Sequence, residues 1–281
     1  PQNNERAPRT AAWREELRKA MTAKERAALQ RVAMPELDPA YRITCNEEVN
    51  SGITRAQAIA EATRCMDCPD PQCVNGCPVN IDIPGFIKNI QRGDIDEAAR
   101  VLRDTSALPA VCGRVCPQEK QCESRCIYNK MKKQPVAIGY LERFAADNAR
   151  TETDAAGIKP NGIKIAVAGS GPAGLSFAGE MARQGFDVTV YEALHEIGGV
   201  LKYGIPEFRL PNTIVDREIH SLEALGVHFV KDCIVGKTLS SDDLTDLGFK
   251  GLFVASGAGL PRFMGIPGEN FIGVMSSNEY L

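Results

Sequence analysis

The stretch Ile163-Lys164-Ile165-Ala166-Val167-Ala168-Gly169-Ser170-Gly171-Pro172-Ala173-Gly174 decides the fold of the second half of the chain. Residues 163–168 are a short, mostly apolar run with the β-branched content of a buried strand. The glycine turn follows at once, and residues 172–184 continue with helical composition. Each glycine answers a physical need of a dinucleotide-binding turn. Gly169 makes the tight turn, Gly171 lets a pyrophosphate lie against backbone with no Cβ between, and Gly174 lets helix and sheet pack closely. The helix N-terminus, with Ser170, Pro172 and Ala173 around it, offers partial positive charge to the phosphates. Residues 187–191 are β-branched and end at Glu192, where a carboxylate can accept hydrogen bonds from an adenosine ribose. Alone, a Gly-x-Gly-x-x-Gly is a weak signal that also fits a plain glycine turn; here strand, helix and acid stand in order.

Working outward, a helix is expected around 214–225 and strands at 227–230 and 252–255. Strands alternating with helices give a mostly parallel sheet. Upstream, residues 151–162 are polar, with two glycines and a proline, and read as a linker. Before the linker the chain reads helical. Thr22 with Glu25, Thr54 with Gln57, and Asp94 with Glu97 have the spacing of capping boxes ahead of apolar residues. A further helix over 136–148 carries the stripe Ile138, Leu141, Phe144 and Ala145. The fold class is therefore α plus α/β: an all-helical domain over 1–155, then a partial Rossmann-like domain over 156–281.

That helical half holds nine of the ten cysteines, eight of them in two blocks. One runs Cys65-x2-Cys68-x4-Cys73-x3-Cys77 and is followed by Pro78; the other runs Cys112-x3-Cys116-x5-Cys122-x3-Cys126. Iron in a cluster wants thiolates, and short spacings let one loop supply several. Zinc competes, since Cys65 and Cys68 alone would make a zinc knuckle and eight cysteines could hold two ions. Disulfides fit poorly: secreted scaffolds are small and coreless, and this polar N-terminus lacks the apolar core of an export signal. A reducing cytoplasm is the expected compartment. Cys45 and Cys233 stand alone and read as inert buried thiols.

Composition excludes rather than identifies. A hydrophobic share of 43% and a charged share of 25% are those of an ordinary globular protein. A formal net charge of −3, from 33 basic and 36 acidic residues, gives no electrostatic case for nucleic acid. No run of eighteen apolar residues suggests a membrane span. His195, His220 and His228 are the only histidines, none is paired with a nucleophile or acid, and no side chain is expected to be catalytic. The N-terminal helices around Trp13 and Leu29 are expected to pack internally rather than dock a partner.

Four segments carry a resemblance that covers essentially the whole chain. They are Cys-Pro-Val-Asn-Ile-Asp-Ile-Pro from Cys77, Leu-Pro-Ala-Val-Cys-Gly-Arg-Val-Cys-Pro-Gln-Glu from Leu108, Ala-Ile-Gly-Tyr-Leu-Glu-Arg-Phe from Ala137, and Gly-Ile-Pro-Glu-Phe-Arg-Leu-Pro from Gly204. The chain resembles the N-terminal part of the small (beta) subunits of NADPH-dependent glutamate synthase. Relatives sharing the plan are the large subunit of electron-bifurcating NADH-dependent ferredoxin:NADP oxidoreductase and the N-terminal region of dihydropyrimidine dehydrogenase.

The resemblance implies two 4Fe–4S clusters with crossed ligation. One would use Cys65, Cys68, Cys73 and the distant Cys126; the other would use Cys77, Cys116 and Cys122, completed by Glu142, with Cys112 left out. By its residue type alone Glu142 is an unremarkable acid flanking an apolar stripe. The dinucleotide would be FAD, with Gly198 and Gly199 near its phosphate–ribitol region, Arg209 near the isoalloxazine, and Ala255 to Gly257 as a further backbone approach. The parent protein would pass electrons from NADPH through FAD and the clusters to a partner. That partner would be a glutamate synthase large (alpha) subunit or an equivalent acceptor, and an oligomer is compatible with the sequence. The alternatives are the bifurcating transhydrogenase complex and a non-catalytic electron-transfer or scaffolding module. The chain departs from the family at Leu281, where a second, NADPH-binding Rossmann unit is expected to begin, so a fragment is the expected reading.

Overall fold

A computed structural model describes residues 8–150 and 157–280. The chain divides into two compact units, Pro1–Glu152 and Thr153–Leu281. The expected linker over 151–162 lies partly outside the described residues, as does Leu281. Among the described residues no helix is long and apolar enough to cross a membrane.

The first unit is built on the helix Ile138–Asn148, which packs against helices Arg55–Arg64, Ile83–Gln91, Ile95–Arg103 and Pro109–Val115. It is buried on nearly every side, including Ile138, Leu141, Glu142, Phe144 and Ala145. Its N-terminus carries no side-chain cap of its own. Two carboxylates from elsewhere serve instead: Glu61 accepts from the Ala137 N–H at 2.8 Å and Glu123 from the Gly139 N–H at 3.3 Å. Both suit the positive end of a helix dipole.

Two of the three expected capping boxes form in full, at Thr22–Glu25 and Thr54–Gln57. At Asp94 only half forms. Asp94 accepts from the Glu97 N–H, but the Glu97 carboxylate turns to Arg100, whose Nε donates at 2.7 Å. The helix begun at Thr22 stops at Ala28, short of Val32, because Leu29 turns extended and gives its carbonyl to Arg64 Nε. The helix Ile83–Gln91 was not anticipated, although Asp82 caps it and Ile83, Phe86, Ile87 and Ile90 have helical spacing.

The second unit is a four-stranded parallel sheet in the order β3-β2-β1-β4, with β1 Lys164–Ala168, β2 Asp187–Tyr191, β3 His228–Val230 and β4 Phe249–Val254. The helix Pro172–Arg183 crosses from β1 to β2, and Asn212–Ala224 precedes β3. Phe177 on the crossover helix stacks on Phe253 of β4, with centroids 4.1 Å apart. A parallel sheet places all its strand ends on one edge, and in such folds the carboxyl edge is where ligands gather.

Candidate functional site

Cys65 ends the helix Arg55–Arg64 and leaves it in an extended conformation. Two residues on, Asp67 is fully buried with φ +50°, a left-handed turn that aspartate tolerates better than most residues. Three arginines hold it there. Arg14 and Arg18 each reach its carboxylate at 2.5 Å, and Arg9 Nε donates to its carbonyl at 2.7 Å. These contacts also seat the helix Ala12–Lys19 on its own unit, where Arg92 covers the Trp13 ring at 4.2 Å. The N-terminal helices thus pack internally, as expected.

The turn sets Cys65 and Cys68 on one side, where they meet Cys73 and Cys126. All four thiols line a single cavity of about 360 Å³, closed by Ile83, Ile87, Tyr128 and Val136. Cys126 comes from the second cysteine block, about sixty residues along the chain. Burial pushes the thiols of Cys68, Cys73 and Cys126 up, and the charges of their neighbours add to it. Opposing this, the N–H groups of Val136 and Tyr128 point at the Cys126 sulfur. Four thiols that repel one another as thiolates, with N–H donors aimed at sulfur, fit a site that a positively charged metal group completes. Among the described residues, no three Cys, His, Asp or Glu side chains stand close enough to share one metal ion.

The second expected set is gathered around the helix Ile138–Asn148. Burial raises Cys122 to about 12, and the charges of Glu123, Glu142 and Cys77 act on it in the same direction. Cys116 accepts a hydrogen bond from the Cys112 thiol, which lowers Cys116 and raises Cys112; Glu142 also acts on Cys112. Glu142 is buried, 5% exposed, so the structure removes it from the surface position that its residue type suggests. Cys112, expected outside both sets, lies beside Cys116. Cys45 and Cys233 are half-buried rather than fully buried.

In the second unit, the glycine turn sits at the carboxyl end of β1. Gly169 has φ +105°, and a Cβ there would lie 2.4 Å from the Ala255 carbonyl oxygen. At Gly174 a Cβ would lie 2.0 Å from the Gly169 carbonyl oxygen, so packing alone demands glycine. Gly171 differs. Its φ of −67° and ψ of 179° suit any residue, and a Cβ there would meet nothing within 4 Å. Neither conformation nor packing asks for a glycine at 171, which leaves room for a group that approaches the backbone from outside. That is the fit a dinucleotide pyrophosphate requires.

Glu192, at the end of β2, is buried and holds the turn from behind. Its Oε2 accepts from the Ser170 N–H at 2.8 Å and from the Ser170 hydroxyl, and its Oε1 accepts from the Leu194 N–H at 3.0 Å. The Ser170 hydroxyl oxygen in turn accepts from the Gly198 N–H at 2.9 Å. One serine therefore ties β1, β2 and the Gly198–Gly199 turn together, with Gly199 lying against Gly171. Ala255 joins through its N–H to the Ala168 carbonyl at 2.8 Å. Gly257 and Arg209 are exposed, and the Arg209 N–H bonds only to the Pro206 carbonyl. Pro172 and Ala173, in the first helical turn, are exposed. His195 meets the Tyr203 hydroxyl at 3.3 Å.

Sequence reasoning passed over the charged groups behind the thiols. Lys88 and Asp67 are fully buried and Arg26 and Arg64 nearly so. A lysine between Ile87 and Ile90, inside an apolar helical stripe, was the available signal.

Comparison with known proteins matches both units. Residues 42–154 match the family of dihydropyrimidine dehydrogenase domain II, 4Fe-4S cluster, and residues 163–280 match the pyridine nucleotide-disulphide oxidoreductase family. The glutamate synthase [NADPH] small chain of Escherichia coli (strain K12) is 35% identical over 256 residues, covering 90% of this chain and 54% of that protein. The NAD-dependent dihydropyrimidine dehydrogenase subunit PreT of the same strain is 40% identical over 223 residues, 77% of this chain and 54% of that one. The glutamate synthase [NADPH] small chain of Halomonas elongata is 35% identical over 253 residues, 88% of this chain and 53% of that one. The chain spans about half the length of these curated relatives.

Proposed function

The chain belongs to the oxidoreductase family that joins a dihydropyrimidine dehydrogenase domain II iron–sulfur module to a pyridine nucleotide-disulphide oxidoreductase module, and from that premise we propose that it is the electron-relaying part of a subunit serving a reductive partner. FAD, when bound, would supply hydride acceptance from NADPH, and two 4Fe–4S clusters would supply one-electron transfer towards the partner.

The protein's own residues hold and orient these groups. Cys65, Cys68, Cys73 and Cys126 would hold one cluster; Cys77, Cys116 and Cys122 would hold the other, with Glu142 as an oxygen ligand. The backbone of 169–174 receives the FAD pyrophosphate, and Glu192 holds that loop rigid through Ser170. Gly198 and Gly199 would lie near the phosphate–ribitol region, Arg209 near the isoalloxazine, and Ala255 to Gly257 would offer a further backbone approach. The domain limits are 1–155 for the clusters and 156–281 for FAD, and the protein works in a reducing cytoplasm.

The observation that carries this reading is the single cavity lined by four thiols from both cysteine blocks. Four thiols lining one cavity suit an iron–sulfur cluster, whose irons each want a thiolate ligand. The partner is a glutamate synthase large subunit making glutamate from glutamine and 2-oxoglutarate. A pyrimidine-reducing partner is the second reading, favoured by the 40% identity to the dihydropyrimidine dehydrogenase subunit against 35% to the glutamate synthase chains.

Metal, sulfide and flavin analysis of anaerobically purified protein tests the first part. About eight iron and eight labile sulfide per chain are expected from two 4Fe–4S clusters. About two zinc and no sulfide, persisting after cluster reconstitution, would sink it. The identity of the subunit that co-purifies with the whole protein separates the two partners.

A further inference from the structure

Two buried cations near Cys65 are held by carbonyl and amide oxygens rather than by carboxylates. Lys88 is fully buried within the helix Ile83–Gln91. Its ammonium donates to the Cys65 carbonyl at 2.5 Å and to the Gln91 side-chain oxygen at 2.7 Å. Arg26, 2% exposed, donates to the carbonyls of Leu17, Met21 and Thr63. Lys88 thus touches the Cys65 backbone from a helix whose Ile83 and Ile87 line the thiol cavity, while Arg26 reaches Thr63, two residues before Cys65, and its own carbonyl accepts from the hydroxyl of Tyr128, another lining residue.

Neither cation has a carboxylate partner among the described residues. Asp67 lies near, but Arg14 and Arg18 already share it, each at 2.5 Å. Arg64 is matched by Glu61 at 2.5 Å. A buried cation held only by carbonyl dipoles is costly unless an anion compensates it. Cys65 lines the thiol cavity, which is where that anion would sit.

We propose that Arg26 and Lys88 are counter-cations to the thiolate-bound group in the Cys65/Cys68/Cys73/Cys126 cavity, positioned to stabilise its reduced, more negative state. The proposal rests on the iron–sulfur reading of that cavity. Uptake of one electron adds one negative charge and transfers nothing else. A fixed cation behind a low-dielectric wall therefore favours the reduced form and raises the midpoint potential. Among the described residues the second cysteine set has no equivalent buried cation. Its arginines are matched: Arg114 and Arg143 by Glu48 and Asp147, and Arg31 by Glu123. Electrons accordingly rest at the first cavity in preference to the second.

The test compares whole protein, Lys88→Met, Arg26→Gln and Arg26→Lys, each loaded anaerobically and assayed for iron and sulfide. EPR-monitored potentiometry with dithionite and mediators then gives each midpoint, the two signals being assigned with a Cys73→Ala variant. Iron and sulfide should be retained, while the first midpoint falls by at least the ~59 mV of a tenfold shift in a one-electron equilibrium. The second midpoint should hold, and Arg26→Lys should restore the first. Retained clusters with an unmoved first midpoint in Lys88→Met or Arg26→Gln overturn the proposal and leave the iron–sulfur reading standing. If Lys88→Met fails to fold, Arg26→Gln alone decides. Wild-type protein that takes up neither iron nor sulfide overturns both.

Discussion

A single hydroxyl carries more of the second unit's glycine turn than its place in the motif suggests. Ser170 reads in sequence as one more cofactor contact, yet its side chain turns inward to Glu192 and Gly198. Ser170→Ala strips a donor from a buried carboxylate and an acceptor from a buried N–H. The expected cost is about 1–3 kcal/mol, visible as a lower denaturant midpoint for the second unit; an unchanged midpoint would show that the turn holds without its hub. The glycines separate in the same assay. Gly169→Ala should lose about 1–3 kcal/mol through its strained φ and the Ala255 carbonyl. Gly171→Ala should leave stability within about 0.5 kcal/mol, as substitutions away from packed features do, while lowering the flavin retained on purification. Equal flavin in Gly171→Ala and wild type would remove the pyrophosphate from that loop. The sequence made the spacing of these glycines visible. Which of them answers to backbone and which to ligand depends on atoms from β4 and on φ, neither of which a motif encodes.

At the scale of elements, short caps do much of the placing. The boxes at Thr22 and Thr54 were legible because both partners lie three residues apart; the box at Ser240–Asp243 has the same reciprocal geometry with aspartate in the acidic position. In the first box, hydrogen bonds from the Thr22 N–H and hydroxyl hold Glu25 below its ordinary 4.5. A carboxylate lowered in the folded state adds stability above its unfolded value, and that stability is lost as pH falls through the folded value. Amide exchange of Ala23–Ala28 should therefore quicken as pH drops below 4.5, after correction for intrinsic rates. Thr22→Val should quicken it at neutral pH, and identical protection in both proteins would discount the cap. The helix Ile83–Gln91 escaped sequence reading because Lys88 and Asn89 interrupt its apolar run, and both are buried by partners distant in sequence or a full turn back. The burial of Glu142, which its residue type alone does not suggest, has a related cause: only the packing of Ile138–Asn148 among four other helices takes a flanking acid out of solvent.

For the molecule as a whole, the two units have separate reasons to stay folded. The second has an ordinary sheet-and-helix core, with Ala166, Tyr191 and Leu244 among its buried residues. The first surrounds a thiol-lined cavity with buried arginines and a lysine. Calorimetry of the loaded protein should show two transitions, and anaerobic iron chelation should lower only the one belonging to the first unit. A single transition that moves as one under chelation would contradict that division. The division itself was legible from the change in hydrophobic period around the glycine turn, whereas the pairing of the cysteine blocks in space was not readable from spacing. That pairing bears on how the protein is made. Cys65, Cys68 and Cys73 are made within nine residues of one another, but Cys126 is translated 53 residues after Cys73. At ordinary synthesis rates of roughly 5–20 residues per second, the nascent chain carries three unfinished thiols for about 3–11 s. Through that interval the cavity lacks its fourth wall, and cluster delivery and protection from oxygen become matters of timing as much as of affinity.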